Sequence, residues 1–436
     1  MKFVKGKRLI DGTSGAVIES PLILIEGDKV CEVGSWDSAA VPPGVKVIDA
    51  SDYTLMPGLI DCHIHLAAFN ARTFDDFRVG QWELTPELQQ MYALFHAQLC
   101  LEMGFTTLRD VGWSSTRGLL TGAMCAVRDA IDSGLSVGPR LLVAGWTIIT
   151  GAHLDLLFPR AALRNSGETA DGPWDLRKLA RDNLRVGCDL LKTCASGGGG
   201  TDKEEPTVRN MTQEELDAIV DEAHAFLKPA AVHCFTPDSQ RMALAAGADT
   251  LEHMVFTDDD AISKINAAGV WVTPTLAHRT DDAIEVRRRT GGTDYSLKKM
   301  QKLQPHCFET FQRMHAAGVN IAMGTDTSYD PEMGHGSAEL EIYVNLGMSP
   351  MEAILTATQN AATAIGLSDT IGTIEVGKHA DLIAVDGDPL QDISVLQQRS
   401  RIAMVMKDGK VCVDRRPGNS KEVVQVDPDS WKIFGT

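Results

Sequence analysis

Two histidines, His63 and His65, stand at the end of a short apolar segment that includes Leu59 and Ile60. Side chains two residues apart in a β-strand lie on the same face, so both imidazoles would point to one place. Neutral imidazoles are favoured ligands of zinc and similar divalent metals. A His-x-His motif is also compatible with a strand that merely exposes two histidines, but the apolar residues before it favour a buried strand that ends at a metal site.

Further residues with metal-binding or nucleophilic side chains lie in or at the ends of later apolar segments: Lys192, His233, His253 and Asp326. Each segment is short, mostly apolar and preceded by a stretch with a helical pattern, which is typical of buried parallel strands. The repetition of this arrangement carries more weight than any single residue. It predicts that six side chains from five strands meet at one site.

Strands and helices alternate between residues 58 and 366. Candidate strands lie at 59–65, 105–110, 140–144, 190–195, 230–235, 250–254, 271–276 and 320–326. Helices are expected between them, and Thr212 with Glu215 forms a capping-box pattern ahead of one. This alternation predicts an α/β fold, a (β/α)8 TIM barrel, whose active site lies at the carboxyl-terminal ends of its strands.

Short alternating strands and turns occupy both ends of the chain, residues 1–57 and 367–436. We predict that these segments are the two parts of one small β-sandwich domain beside the barrel. Residues 58–366 would then form the metal-dependent barrel domain, which carries all six of the residues described above.

The composition is that of an ordinary globular protein, with 436 residues of which 44% are hydrophobic and 23% charged. A formal net charge of −18 argues against nucleic acid or an anionic membrane as a partner. The nine cysteines include no CxxC pair, and no apolar run is long enough for a membrane span, so a cytoplasmic location is expected. The expected partner is a small-molecule substrate, and the sequence leaves a homo-oligomer open.

Lys192 needs a separate explanation, because a buried ammonium beside metal ions would be repelled. A neutral lysine can instead capture CO2 as a carbamate, whose two oxygens would bridge two ions. We therefore predict two divalent ions, expected to be zinc, with a CO2-derived carbamate on Lys192. One ion would be held by His63, His65 and Asp326, and the other by His233 and His253. A water bridging the ions would supply hydroxide at neutral pH. Asp326 would take the water's proton and pass it to a leaving nitrogen.

The order of these residues resembles the amidohydrolase superfamily, in its binuclear, carboxylated-lysine subgroup. Residues 57–65 and 324–326 are similar to the family's motifs on the first and eighth strands, and residues 372–382 to its return into the β domain. Residues 192–198 are similar to the branch of Xaa-Pro dipeptidases and related carboxypeptidases, which also includes hydrolases of aryl amides and ureas. The resemblance implies hydrolysis of a C–N bond in an amide, a dipeptide, or a urea or carbamate.

Members of this branch commonly carry a tyrosine two residues after the fifth-strand histidine, where it helps to hold a substrate carboxylate. This chain has Phe235 there, which cannot donate a hydrogen bond. This difference favours a neutral or aromatic amide, carbamate or urea as the substrate. Arg209, after the fourth strand, could bind the carboxylate instead, so a dipeptide also stays open. His153, after the third strand, is predicted to polarise the scissile carbonyl, and His335, after the eighth, to contact substrate. His278 is interpreted as an ordinary loop or helix residue.

Alternative functions share these ligands. Hydrolysis of a lactone or another ester would use the same metal site, and a non-catalytic interaction protein could retain the fold, although such proteins typically lose ligands. Deamination is disfavoured, because Lys192 is present and no glutamate follows His233 closely. Hydrolysis of a C–N bond is the leading prediction.

Overall fold

A computed structural model describes residues 1–13, 15–36, 44–67, 85–112, 122–151, 169–199, 204–327 and 333–425. Its strands are β1 (Lys2–Leu9), β2 (Ile18–Glu19), β3 (Pro21–Glu26), β4 (Lys29–Ser35), β5 (Lys46–Pro57), β6 (Leu59–Ile64), β7 (Phe105–Asp110), β8 (Arg140–Val143), β9 (Thr147–Ile148), β10 (Leu191–Cys194), β11 (Ala230–Cys234), β12 (Thr250–His253), β13 (Trp271–Thr273), β14 (Leu382–Val385), β15 (Ile402–Lys407) and β16 (Lys410–Asp414).

The helices are α1 (Pro86–Glu102), α2 (Ala123–Asp132), α3 (Pro173–Arg185), α4 (Gln213–Ala225), α5 (Pro237–Ala246), α6 (Asp259–Ala268), α7 (Asp281–Arg289), α8 (Asp294–Ala316), α9 (Ala338–Asn345), α10 (Pro350–Thr356) and α11 (Gln359–Ala364). Short 3-10 turns occupy Ala277–Arg279, Ile393–Gln397 and Arg399–Arg401. Within the described ranges, no helix is both long enough and apolar enough to cross a bilayer.

Local sequence signals set the helix ends. The predicted capping box of α4 is confirmed, because the Thr212 side chain accepts from the Glu215 N–H while the Glu215 carboxylate accepts from the Thr212 N–H. Helix α5 begins with a similar box at Thr236, followed by Pro237 at its first position. It ends at Gly247, whose φ of 86° is left-handed and suits glycine. These signals fix where each helix leaves the adjoining strand.

Two parallel sheets, β6-β7-β8 and β9-β10-β11-β12-β13, make up the central region. Residues 321–327 lie between their outer strands. Ile321 pairs with Val272 of β13, and Thr327 pairs with Ile64 of β6, both in parallel. The Cys62 N–H also donates to the Met323 carbonyl over 2.9 Å. This segment therefore lies beside the first and the last strand of the region.

Strands from both ends of the chain form a separate sheet, in the order β16-β15-β14-β5-β1-β3-β4, with β2 on β1. Strand β5 pairs in parallel with β1 and antiparallel with β14, where Leu382 lies opposite Pro57. Buried side chains from several strands of this sheet form one cluster, which includes Val4, Ile25, Leu55, Leu382 and Met404. Because β5 runs directly into β6, this sheet anchors the strand that carries His63.

Candidate metal centre

The predicted side chains meet at the carboxyl-terminal ends of the parallel strands. The Nε2 atoms of His63 and His65 lie 3.5 and 3.1 Å from Oδ1 of Asp326. Ligating atoms of these three residues all lie within 4.8 Å of one another. Imidazole nitrogens and a carboxylate oxygen are donors that suit a divalent metal such as zinc, so this trio fits one ion.

The other three side chains lie directly beside this trio. Nζ of Lys192 is 3.5 Å from Nε2 of His63. The His253 ring lies 4.7 Å from the His63 ring and 4.6 Å from the His233 ring, measured between centroids. The structure thus places two more imidazoles and an amine in the same volume, and their role as metal ligands stays a prediction.

The backbone at two of these residues is strained. His253 and Asp326 have φ angles of 76° and 57°, in the left-handed region that residues other than glycine rarely adopt. Nearby Met254 and Thr275 share this conformation, with φ of 57° and 53°. Such strain costs about 1–3 kcal/mol per residue and persists where the surrounding contacts enforce it, commonly at functional sites.

Gly324 lets residues 321–327 approach β6 closely. A Cβ at this position would lie 2.3 Å from the Thr273 side chain and 2.7 Å from Cβ of His63. The N–H groups of Thr325 and Asp326 both donate to the His63 carbonyl, over 3.1 and 2.7 Å. Any larger residue at 324 would separate the Asp326 carboxylate from the histidines of β6.

Hydrogen bonds on the far side of each ring orient the imidazoles. His63 donates from Nδ1 to Glu252 over 2.6 Å, and His65 donates from Nδ1 to the Gly112 carbonyl. His233 donates from Nε2 to the Gly197 carbonyl over 2.9 Å. The predicted metal ligand is then the opposite ring nitrogen of each histidine, as is usual for histidine ligands.

A buried ion pair supports His63. Arg109 donates from Nη2 to Glu252 over 2.8 Å, and both side chains are almost fully buried. Burial alone would raise the pKa of Glu252, but Arg109 and His63 outweigh it and hold the pKa below its usual range. Neither Arg109 nor Glu252 was predicted to belong to the site, although a charged residue inside an apolar strand was a usable signal.

For His63, His253 and Asp326, the surroundings favour the protonation state that binds a metal. Burial, followed by the charge of Lys192, lowers the pKa of His63. Burial, followed by the charge of His233, lowers the pKa of His253 well below its ordinary value. Burial would raise the pKa of Asp326, but its contacts with the rings of the two β6 histidines outweigh burial and hold that pKa well below its usual range. His63 and His253 are therefore neutral and Asp326 is ionised at neutral pH.

His278 holds the backbone of Asp326 in place. It lies in the turn after β13, is 8% exposed, and donates from Nε2 to the Asp326 carbonyl. This contact fixes a residue whose φ is already strained. His278 was interpreted as an ordinary loop or helix residue, and no local pattern indicated this contact, because it joins two segments far apart in the sequence.

The residues predicted to contact substrate differ in their burial and in their distance from the metal cluster. Phe235 is buried and stacks on His233, with 4.4 Å between ring centroids. Arg209 is exposed and pairs through its backbone with Ser196, and His335 is also exposed. His153 lies outside the described residues. Among the predicted contacts that the structure describes, Phe235 alone packs on a member of the metal cluster.

Replacing Glu252 with glutamine is expected to weaken both folding and metal binding. Arg109 would lose its buried charged partner, which lowers the free energy of unfolding by roughly 3–5 kcal/mol. His63 would lose its orienting carboxylate, which lowers zinc affinity by about 10–100-fold. Urea unfolding and zinc titration measure the two effects. Glu285→Gln, at an exposed carboxylate, is the control, and a Glu252→Gln protein with the control's stability and affinity would contradict the assignment.

Comparison with known proteins assigns this chain to a family. Residues 54–412 match the sequence profile of the amidohydrolase family. The chain belongs to that family. Ochratoxinase from Aspergillus niger is 30% identical to this amidohydrolase over 385 residues, covering 82% of this chain and 75% of the relative.

Solved structures agree with this assignment. A Xaa-Pro dipeptidase with methionine bound in its active site superposes on this amidohydrolase with a TM-score of 0.85 and 30% identity, covering 94% of this chain and 99% of that one. A prolidase complexed with N-methylphosphonate-L-proline gives a TM-score of 0.85 and 28% identity, covering 95% and 100%. The predicted superfamily and its prolidase-like branch are confirmed, and with them the prediction of an amidohydrolase enzyme.

Proposed function

We propose that this chain is a metal-dependent hydrolase of amide-type C–N bonds that holds two divalent ions. His63, His65 and Asp326 would hold one ion, His233 and His253 the other, and carboxylated Lys192 would lie between them. The observation that carries this proposal is the meeting of four imidazoles, a carboxylate and an amine at the ends of parallel strands. When bound, the ions would polarise the substrate carbonyl and lower the pKa of a water.

Asp326 is suited to move a proton in this reaction. Its side chain is 24% exposed, whereas that of His63 is fully buried, so the carboxylate faces the open side of the site. Oδ1 lies 3.5 and 3.1 Å from Nε2 of His63 and His65, while Oδ2 is 3.8 Å from Nδ1 of His253. Asp326 would accept a proton from the attacking water and deliver it to the leaving nitrogen.

We propose that residues 58–366 form a closed (β/α)8 barrel and that residues 1–57 and 367–436 together form a β-sandwich. The parallel pairing of residues 321–327 with both β6 and β13 supports closure. A Cβ on Gly409 would lie 2.5 Å from the Gly27 carbonyl, so turns from the two ends of the chain touch. This contact supports a terminal sheet that folds back on itself.

The relatives favour an amide next to a free carboxylate. The dipeptidase structure holds methionine in its active site, and the prolidase structure holds a phosphonate of L-proline, both of which carry a carboxylate. Phe235, in contrast, lacks the hydroxyl that would hold such a group. We favour N-acyl amino acids and dipeptides as substrates, with ureas and carbamates as the competing class.

Hydrolysis of a substrate panel by the zinc-loaded enzyme in bicarbonate buffer tests this proposal. The panel contains N-acyl amino acids, Xaa-Pro dipeptides, aryl amides, phenylureas, carbamates and a lactone. We expect turnover of amides with a free carboxylate, loss of turnover on chelation and its recovery with zinc. Turnover of the lactone alone would favour ester hydrolysis. A protein that binds no metal and hydrolyses nothing would favour a non-catalytic role.

A further inference from the structure

Arg279 is a buried cation that the predicted mechanism does not use. It ends the 3-10 turn that follows β13 and is 8% exposed. The turn is rigid, because the N–H groups of Leu276 and Ala277 each donate to the Glu339 carboxylate over 2.6 Å. His278, the neighbour of Arg279, is bonded to the Asp326 carbonyl. Arg279 is therefore held at a fixed position relative to the metal cluster.

The guanidinium of Arg279 lies one aromatic ring away from a predicted metal ligand. Its Cζ is 5.9 Å from the centroid of the Phe235 ring, and that ring stacks on His233. A Cβ on Gly199 would lie 3.4 Å from Nη1 of Arg279, so the guanidinium also packs against the loop after β10, which contains Gly197, Gly198 and Gly199. Gly197 of the same loop accepts the hydrogen bond from His233. Arg279 thus borders the site from the side that Phe235 covers.

Within the described part of the chain, Arg279 forms no ion pair with a carboxylate. The buried thiol of Cys307 lies beside the guanidinium, whose charge opposes the rise that burial causes in the pKa of that thiol. A guanidinium carries five N–H donors and is costly to bury without an anion. Contact with the Phe235 ring offsets only part of that cost. The arrangement suits an anion that arrives with the substrate.

We infer that Arg279 binds the α-carboxylate of the residue on the leaving side of the scissile amide. This inference rests on the proposed function and names its substrate class as N-acyl amino acids and dipeptides. The scissile carbonyl carbon and the α-carboxylate carbon are joined through only the nitrogen and the Cα of the leaving residue, so they lie roughly one Cα–Cα spacing apart, ~4 Å. The anion partner must therefore border the metal cluster, as Arg279 does, whereas Arg209 is exposed. A planar guanidinium would bind the carboxylate through two parallel hydrogen bonds, replacing the hydroxyl that Phe235 lacks.

A matched pair of substrates tests the inference: an N-acyl amino acid and its carboxamide, in which the carboxylate is neutral. For the acid, we expect R279Q to lower kcat/KM by about 10²–10³-fold, mainly through KM, because a buried charged partner is lost. For the carboxamide, the change should stay below about threefold. R279K should recover part of the loss, and R288Q, at an exposed arginine, is the control that changes neither substrate.

Several outcomes would overturn the inference. These are an equal loss on acid and carboxamide, a wild-type enzyme that does not prefer the acid, or a selective loss in R209Q rather than R279Q. Calorimetric binding of L-methionine provides a readout without turnover, and we expect the wild type to bind it at least about tenfold more tightly than R279Q. If neither substrate is hydrolysed, the proposed function fails, while this binding difference still decides the role of Arg279.

Discussion

The Lys192→Ala variant is expected to lose at least one of two bound metal equivalents and roughly 10³-fold or more of kcat/KM. Nζ of Lys192 lies 3.5 Å from Nε2 of His63, and the side chain is 3% exposed. Alanine would leave a gap between the two sets of imidazoles, and Asp326 would be the one ligand of the six left to offset the charge of two cations. Elemental analysis of the zinc-loaded protein, together with steady-state kinetics, measures both losses.

The controls separate this role from a general loss of folding. Lys264→Ala removes an exposed lysine that pairs with Asp260, and it should change neither metal content nor activity. Formate or acetate at millimolar concentration should restore part of the activity of Lys192→Ala, because a small carboxylate can fill the gap. Two tightly bound metals and full activity in Lys192→Ala would show that no carbamate bridges the site.

Asp326→Asn should lower kcat by about 10²–10⁴-fold, the usual contribution of general acid–base catalysis. Asparagine has nearly the same shape as aspartate but cannot accept the proton that the reaction must move. It can still offer an oxygen to a metal, so at least part of the metal should remain. Steady-state kinetics and elemental analysis of the same preparation test these two expectations.

The choice of leaving group makes the test of Asp326 specific. Amides of nitroanilines depart with less help from a proton than amides of alkylamines. If Asp326 delivers that proton, Asp326→Asn should lose less activity on the nitroanilide than on the alkylamide. An equal loss on both, or the complete loss of metal, would indicate that Asp326 acts only as a ligand.

The meeting of the six side chains at one site could be predicted, because each residue lies in or at the end of an apolar strand. His63 and His65 needed only the two-residue period of a strand, and Asp326 only its place after an apolar run. Parallel strands then bring these ends to one edge. The family profile over residues 54–412 confirms the predicted family.

Other features depended on contacts between distant segments and could not be predicted. The strand predicted at 271–276 ends at Thr273, since Leu276 turns to bond with Glu339. The strand predicted at 140–144 is followed by a second piece, β9, after Gly145 takes a φ of 71°. No local pattern showed that Arg279 would be buried beside Phe235. Loop conformations of this kind are set by tertiary contacts rather than by local propensity.

The pairing of β5 with β14 has a consequence for synthesis of the chain on the ribosome. Pro57 and its partner Leu382 are made far apart in time, tens of seconds at typical rates of elongation. Throughout that interval, one edge of β5 has no strand to pair with, and unpaired edges invite association with other chains. The nascent protein should therefore depend on chaperones until its last strands emerge, and removal of residues 382–414 should lead to aggregation rather than to a smaller folded enzyme.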